Sequence, residues 1–235
     1  MSAATDPPAP SDPPDRPARW RHWTGVATAF LPALILGILI KANAVNIPTW
    51  DDWERVPLIE KWESGELAFG DLYEPHIEHR IFFPRLIILG LNAASGGDLR
   101  AEMGFIFATT LLTGVAAYIL LGRTLGAGSR LVAPAALAIN LMIFSPLQWQ
   151  NFLWGIQIAF MLPVCCIAWA LVALGARRLG IWVRFGICLA LALIGTHSFG
   201  HGMLIWWFCS ARCCPPSGWA RRAGFSPGLG CSARR

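Results

Sequence analysis

The sequence predicts an all-α membrane protein, a polytopic transmembrane helix bundle of about five spans with interfacial helices in its first extracytoplasmic loop. Of the 235 residues, 55% are hydrophobic and only 14% are charged, whereas soluble domains carry about 25% charged residues. The mean hydropathy is +0.50. Several apolar runs approach the roughly 20 residues that a helix needs to cross a bilayer. These observations argue against a soluble globular core.

The chain opens on a polar segment. Residues 1–22 are predicted to form a disordered cytoplasmic tail, because they are rich in Pro, Ala, Asp and Ser and contain few large apolar side chains. The first apolar run, residues 24–40, follows. Ala42-Asn43-Ala44 resembles a cleavage site, so this run is either a signal peptide or an uncleaved signal anchor, which the long tail and the later spans favour. In both cases the residues that follow are delivered to the extracytoplasmic side.

Residues 45–100 are predicted to form an extracytoplasmic loop within a transmembrane unit that covers residues 23–208. The first part of this loop, residues 45–80, holds nine Asp and Glu side chains, and we call it the acidic loop. Within it, residues 57–66 show apolar side chains at helical spacing, which predicts a short amphipathic helix on the membrane surface. The next run, residues 81–94, is only about 21 Å long as a helix. It is therefore predicted to lie at the interface and not to cross a core of about 30 Å.

Four further spans are predicted at residues 102–121, 131–144, 152–174 and from residue 185 onward. If residues 81–94 do not cross the membrane, one group of flanking arginines falls on the same side as the N-terminus: Arg16, Arg19, Arg21, Arg123, Arg130, Arg177, Arg178 and Arg184. This bias places the N-terminus in the cytoplasm. The net charge of +5 comes mostly from such flanking residues, which is typical of topology determinants and not of a nucleic-acid surface.

The composition changes at the C-terminal end. Residues 209–235 are rich in Arg, Cys, Gly, Pro and Ser and show no apolar period. They are predicted to be an atypical tail, either degenerate or frameshifted, that ends a truncated version of a longer protein. The seven cysteines of the chain have no metal-ligand spacing and predict no disulfide framework.

Three polar blocks between the apolar runs carry a resemblance to a known family. They are Trp50-Asp51-Asp52-Trp53, then His76-Ile77-Glu78-His79-Arg80 with Phe83-Pro84-Arg85, then Gln148-Trp149-Gln150-Asn151-Phe152-Leu153-Trp154-Gly155. In this order they resemble the GT-C class of membrane glycosyltransferases and a group of uncharacterised bacterial multi-pass proteins placed near it. The resemblance covers residues 24–208.

The resemblance implies an enzyme of the bacterial inner (plasma) membrane that transfers a sugar from a polyprenyl-phosphate donor on the extracytoplasmic face. In that class one loop carboxylate acts as the base toward the acceptor, which carries over to Asp51 or Asp52. The implied partners are the polyprenyl-phosphate sugar and membrane lipid, with no nucleic acid. The sugar and the protein partners are left open.

Such a transfer needs a base at the acceptor hydroxyl and cations at the leaving phosphate. Arg80 and Arg85 are candidates for the phosphate, because a guanidinium can bind it through two hydrogen bonds. His76 and His79 could position the phosphate or donate a proton. The remaining predicted substrate-binding residues are Glu78, Trp149, Gln150, Asn151 and Gln157.

Each role has a structural alternative. Asp51 and Asp52 could be solvated loop residues, Arg85 could extend from an interfacial helix toward water, and the amides of the third block could bridge helices. No metal site is predicted, although His76, Glu78 and His79 could bind a divalent cation on an irregular backbone.

The alternative to an enzyme is a non-catalytic multi-pass protein, such as a transporter or an assembly partner, or an inactive fragment. A transporter is disfavoured because the spans hold almost no acids and no internal repeat is visible.

Overall fold

The computed structural model describes residues 16–126 and 128–213, and the side chains within residues 23–126 and 128–210. In chain order its helices are α1 (Arg16–Asn43), α2 (Val56–Glu63), α3 (Phe69–Tyr73), α4 (Phe82–Ser95), α5 (Arg100–Leu125), α6 (Val132–Ile143), α7 (Trp149–Leu153), α8 (Ile158–Leu174), α9 (Ile181–Thr196) and α10 (Leu204–Cys213). Short 3-10 helices lie at Trp50–Arg55, Pro146–Gln148, Gly155–Gln157 and Gly200–Met203. Strands β1 (Pro75–His76) and β2 (His79–Arg80) form a small antiparallel hairpin. The predicted all-α class is confirmed.

Within the described residues, four segments are long and apolar enough to cross a membrane. They are Trp23–Asn43, Arg100–Leu125, Val132–Leu153 and Gly155–Leu174. The predicted fifth span corresponds to α9, which has 16 residues and is therefore roughly 24 Å long. Arg184, near the start of α9, donates to the carbonyl of Leu174 at the end of α8. The two helices therefore run antiparallel, and α9 returns the chain to the end where α8 began.

The helices divide the molecule into two ends. Glu102 at the start of α5 lies beside Gly155, just before α8, and Arg123 near the end of α5 donates to the carbonyl of Val172 near the end of α8. Since α5 and α8 run in the same direction, their starts share one end of the bundle. This end also carries the acidic loop, residues 144–157 and residues 197–203, and we call it the loop end.

Helix α4 begins and ends at the loop end. The backbone N–H of Phe83 donates to the carbonyl of His197 at 3.3 Å. Just after the helix, the N–H of Leu99 donates to Asn46 Oδ1 at 2.9 Å. Both partners lie at the loop end, so α4 covers this end and does not run the length of the bundle, as expected for residues 81–94. Its buried side chains are Pro84, Ile88 and Leu89.

Two apolar clusters hold the bundle together. The first joins α1, α4, α5 and α7 through Leu36, Ile40, Ile88, Ile106 and Phe152. The second joins α8, α9 and α10 through Cys166, Ala170, Ala192 and Ile205. A polar contact adds to the first, since Asn140 on α6 donates its amide to the carbonyl of Ala29 on α1 at 2.7 Å.

Several boundaries differ from the sequence-based ones. Helix α1 begins at Arg16, inside the segment 1–22, and α10 continues to Cys213, beyond residue 208; residues 214–235 lie outside the described residues. The expected span 152–174 is interrupted, because Trp154 is extended (φ −125°, ψ 115°) and α8 begins only at Ile158. The amphipathic helix expected at 57–66 is present as α2.

Candidate functional site

The 3-10 helix Trp50–Arg55 carries a buried carboxylate at the loop end. Asp52 is 3% exposed, and its Oδ2 accepts hydrogen bonds from the Thr49 N–H at 3.1 Å and the Thr49 hydroxyl at 3.3 Å. Such a side chain satisfies a free N–H group at the start of a helix. Asp52 Oδ1 lies 3.0 Å from Arg55 Nη2. Asp52 is therefore occupied by its neighbours in the chain.

Glu102, in the first turn of α5, completes this arrangement from the bundle side. Its carboxylate forms an ion pair with Arg55 Nη1, and the side chains of Arg55 and Glu102 are only 9% and 5% exposed. The start of a helix also stabilises a negative charge. We call Asp52, Arg55 and Glu102 the buried ion cluster, and it ties the acidic loop to α5.

Gly155 packs directly against the buried ion cluster. A Cβ atom at this position would overlap Glu102 Oε2 and would lie 3.4 Å from Asp52 Oδ1. The adjacent Trp154 donates its indole N–H to the Thr49 carbonyl at 3.1 Å. The interruption of the helix before α8 thus packs against the acidic loop. Position 155 has room for glycine only, unless the Glu102 carboxylate moves.

The Gly155→Ala variant tests this fit. The added methyl group displaces the Glu102 carboxylate from Arg55, so we expect a loss of about 1 to 3 kcal/mol in the free energy of unfolding, measured by thermal unfolding in detergent. Gly104→Ala is the matched control, because Gly104 also lies near the start of α5 but faces open space. It should change stability by less than about 1 kcal/mol, in the stabilising direction. Equal stability of the two variants would contradict the fit.

The hairpin brings His76 to the same 3-10 helix. His76 pairs with His79 across β1 and β2, and Ile77 at the turn has a φ of 54°. His76 Nδ1 lies 2.8 Å from Glu54 Oε2, and the two side chains are 13% and 62% exposed. This contact joins the 3-10 helix to the hairpin. Glu54 was absent from the sequence-based set, because one carboxylate among nine in the acidic loop shows no local signal.

Arg80 and Arg85 converge on the end of α3. Arg85 Nη1 donates to the carbonyls of Asp71 at 3.1 Å, Leu72 at 3.3 Å and Glu74 at 2.5 Å. Arg80 Nη1 donates to the Tyr73 carbonyl at 2.7 Å, and its guanidinium carbon lies 4.6 Å from the centre of the Tyr73 ring. Both arginines thus stabilise the C-terminal carbonyls of α3.

Burial and nearby carboxylates have opposite effects on the pKa of Arg85. Burial lowers the pKa of Arg85, while the negative charges of Glu74, Glu54 and Asp71 act in the opposite direction. In the described part of the chain neither Arg80 nor Arg85 forms an ion pair with a carboxylate. Each keeps donors beyond those used on α3.

His79 turns away from His76 and packs on another segment. Its ring centre lies 3.9 Å from that of Phe199, and a Cβ at Gly200 would lie 3.2 Å from its Cε1. His201 lies on the other side of Phe199, at 5.4 Å. Burial lowers the pKa of His201, against the hydrogen bond of its Nε2 to the Phe160 carbonyl. His79 therefore anchors the hairpin to residues 199–201.

The predicted residues of the third block and Gln157 differ in exposure: some are exposed or lie beside a cavity, and Gln157 is buried. Trp149 is 58% exposed and lines a cavity of about 420 Å³ with Leu36, Asn43 and Phe152. Gln150 is exposed, and Asn151 donates to Gln148 Oε1 at 3.2 Å. Gln157 is 8% exposed, with an Oε1 atom that has no donor in the described residues.

Asp51 differs from its neighbour Asp52. It is half-buried, and no hydrogen bond or ion pair joins its side chain to another described residue. Trp50 before it has a φ of 50°, and the Trp50 ring meets the Trp154 ring edge-on at 5.8 Å. A backbone held in this sparsely populated region is found more often at functional sites than elsewhere. Of the two predicted catalytic carboxylates, Asp51 is the available one.

The predicted site residues thus fall into separate groups. Asp51 lies in the 3-10 helix that also carries Glu54, and Glu54 contacts His76 on the hairpin. Asp52 belongs to the buried ion cluster, His79 packs on Phe199, and Arg80 and Glu78 are exposed. Residues that sequence reasoning missed are Glu54, Arg55, Glu102, Trp154 and Gly155, whose roles depend on contacts between distant parts of the chain.

No metal centre is apparent in residues 16–126 and 128–213, where no three His, Cys, Asp or Glu side chains are grouped to hold an ion. His76 and His79 belong to one hairpin, but the first contacts Glu54 and the second contacts Phe199.

Comparisons with protein-family models, with curated proteins and with solved structures give no match to this chain.

Proposed function

We propose that the chain is a membrane glycosyltransferase that takes a sugar from a polyprenyl-phosphate donor at its loop end. The observation that carries the proposal is the 2.8 Å pair between His76 Nδ1 and Glu54 Oε2. It joins two charged segments of the acidic loop, since residues 54 and 76 are 22 positions apart in the chain. An imidazole held at Nδ1 by a carboxylate presents Nε2 for proton transfer.

Two groups are available as the base. Asp51 lies three residues before Glu54 in the same 3-10 helix and has no partner among the described residues. His76 is held by Glu54. Either can accept the proton of the acceptor hydroxyl as its oxygen forms a bond to the anomeric carbon of the sugar. The bond from that carbon to the phosphate oxygen then breaks, and the polyprenyl phosphate leaves with the electron pair.

The developing charge on the phosphate requires cations. Arg80 and Arg85 are the candidates, because both guanidinium groups donate to carbonyls at the end of α3. The lipid part of the donor requires an apolar surface at the same end, and the cavity of about 420 Å³ beside Trp149 provides one. The proposal assigns acid–base chemistry to the 3-10 helix and hairpin, phosphate binding to the arginines and lipid binding to the groove between α1 and α7.

The test measures transfer of radiolabelled sugar from polyprenyl-phosphate donors in membranes that contain the chain. Asp51→Asn and His76→Gln are each compared with Glu63→Gln, an exposed carboxylate of α2. Removal of a general base lowers the rate by about 10²- to 10⁴-fold, so we expect this loss in at least one variant and wild-type rates in Glu63→Gln. Wild-type transfer in both site variants would remove the proposed roles.

A non-catalytic membrane protein is the second candidate, and a specific observation favours it. Asp52, Arg80 and Arg85 all bind backbone groups of the acidic loop, which is what a structural role requires. The test is the wild-type chain in membranes where the folded protein is detected. If it transfers sugar from none of the polyprenyl-phosphate donors, the non-catalytic role is supported.

A further inference from the structure

Among the residues whose side chains are described, only positive charges lie at the end of the bundle opposite the loop end. No Asp or Glu follows Glu102 in the whole sequence, whereas five arginines with described side chains lie at this end. They are Arg123, Arg130, Arg177, Arg178 and Arg184. Asp6, Asp12 and Asp15, which precede α1, lie outside the described residues. We call this region the arginine end.

Two adjoining cavities open among these arginines. The larger, about 1060 Å³, lies between the ends of α5 and α8 and is lined by Arg123, Arg177, Arg178 and Phe208. The smaller, about 400 Å³, lies between α8, α9 and α10 and is lined by Arg177, Arg184, Ile181, Phe185 and Trp206. Leu174, Gly175 and Arg177 line both, so a single ligand can occupy the two.

Two of the arginines have a structural role. Arg123 Nη1 donates to the Val172 carbonyl at 2.6 Å, and Arg184 Nη1 lies 3.5 Å from the Leu174 carbonyl. These are among the last carbonyls of α8, where a helix carries partial negative charge and favours cations. Gly175 leaves room for this arrangement, because a Cβ there would lie 3.1 Å from Arg123 Nη1.

The remaining guanidinium donors have no acceptor among the described residues. The Nε atom of Arg184 is buried and has no hydrogen-bond partner among the described residues. Arg177 and Arg178 are exposed, and the ion pairs of the described chain include neither of them. A buried donor without an acceptor costs free energy, so an oxygen-rich anion at this position stabilises the fold.

We propose that the arginine end binds an anionic phospholipid, whose phosphate lies between Arg177, Arg178 and Arg184 and whose acyl chain lies along α9. The position at the ends of membrane-crossing helices favours a lipid over a soluble anion. Ile181 and Trp182 on α9 are 58% and 81% exposed, so an apolar surface continues outward from the smaller cavity. Arginine binds phosphate through paired hydrogen bonds, and basic pockets between membrane helices bind lipid headgroups.

The experiment measures lipid binding to the full chain in an uncharged detergent by native mass spectrometry. Phosphatidylglycerol is the anionic probe, phosphatidylcholine of the same chains is the zwitterionic probe, and inorganic phosphate is added as a competitor. The test variant is Arg177→Ala/Arg178→Ala, whose side chains form no hydrogen bond or ion pair with another described residue. Arg130→Ala is the matched control, since Arg130 is exposed at the same end but lines neither cavity.

The expected result is one retained phosphatidylglycerol per chain and no retained phosphatidylcholine. Each arginine near a lipid phosphate contributes about fivefold in affinity, so the double variant should bind phosphatidylglycerol about 25-fold more weakly, and Arg130→Ala should bind within about twofold of wild type. A fivefold loss of phosphatidylglycerol affinity in Arg130→Ala would mean that the arginines attract the lipid only through their overall charge, and it would contradict a defined site. Equal binding of phosphatidylcholine, or displacement of the lipid by equimolar inorganic phosphate, would also overturn it.

Discussion

Replacing Arg55 with leucine is expected to lower the free energy of unfolding by about 3 to 5 kcal/mol, because it leaves Asp52 and Glu102 buried without a cation. For a chain of this size that loss corresponds to a fall in Tm of roughly 6 to 20 °C, measured by thermal unfolding in detergent. The buried ion cluster makes the effect large, since the side chains of Asp52 and Glu102 are only 4% and 5% exposed.

Two further variants separate this effect from the simple loss of an arginine. Arg100→Leu removes an exposed ion pair to Asp98 in the first turn of the same helix, and exposed pairs contribute less than about 1 kcal/mol. Arg55→Leu/Glu102→Leu should recover most of the loss, because Asp52 keeps its hydrogen bonds from Thr49. If Arg55→Leu is no less stable than Arg100→Leu, the cluster does not hold the acidic loop on α5.

Replacing Gly202 with alanine is expected to destabilise the protein by about 3 kcal/mol or more, the upper range for added atoms in a packed site. A Cβ at Gly202 would overlap the backbone carbonyl of Gly195 and would lie 2.7 Å from the backbone nitrogen of Thr196. Backbone atoms cannot rotate away as the end of a side chain can. The turn that joins α9 to α10 must therefore open, and Tm should fall by roughly 6 to 12 °C.

Gly186→Ala is the control for this variant. Gly186 lies in α9, and a Cβ there would meet no atom within 4 Å, so alanine should leave Tm unchanged or raise it slightly. Gly202→Ala should also disturb the contact of His201 with Phe199, because the N–H of Gly202 donates to the Phe199 carbonyl. If Gly202→Ala unfolds at the temperature of Gly186→Ala, the close approach of the two backbones is not required.

Both variants concern the frame that holds the loop end. The buried ion cluster fixes the 3-10 helix Trp50–Arg55 on α5, and the turn at Gly202 fixes residues 197–203 against α8. The hairpin contacts both, through His76 to Glu54 and through His79 to Phe199. Asp51 is presented at the surface of this frame. Loss of stability in Arg55→Leu should therefore accompany loss of any transfer activity, whereas Asp51→Asn should change activity alone.

The all-α class, the approximate positions of the membrane helices and the concentration of acidic residues between positions 51 and 102 could be predicted from the sequence. These features follow from local composition, because the length and hydropathy of a run decide whether it forms a membrane helix. The length of residues 81–94 and the charge bias together predicted a short helix that does not cross the membrane. The polar blocks around residues 50, 76 and 150 were found for the same reason, as interruptions of apolar runs.

The contacts of each charged residue could not be predicted in the same way. Asp51 and Asp52 are equivalent as sequence, but the partners of Asp52 include Arg55, which reaches Glu102 across 47 residues, and Trp154 meets Thr49 across 105 residues. The same holds for Glu54, one of many acidic side chains until His76 is placed beside it. A side chain's burial and charge partners depend on chain segments that are distant in sequence, and no local pattern records them.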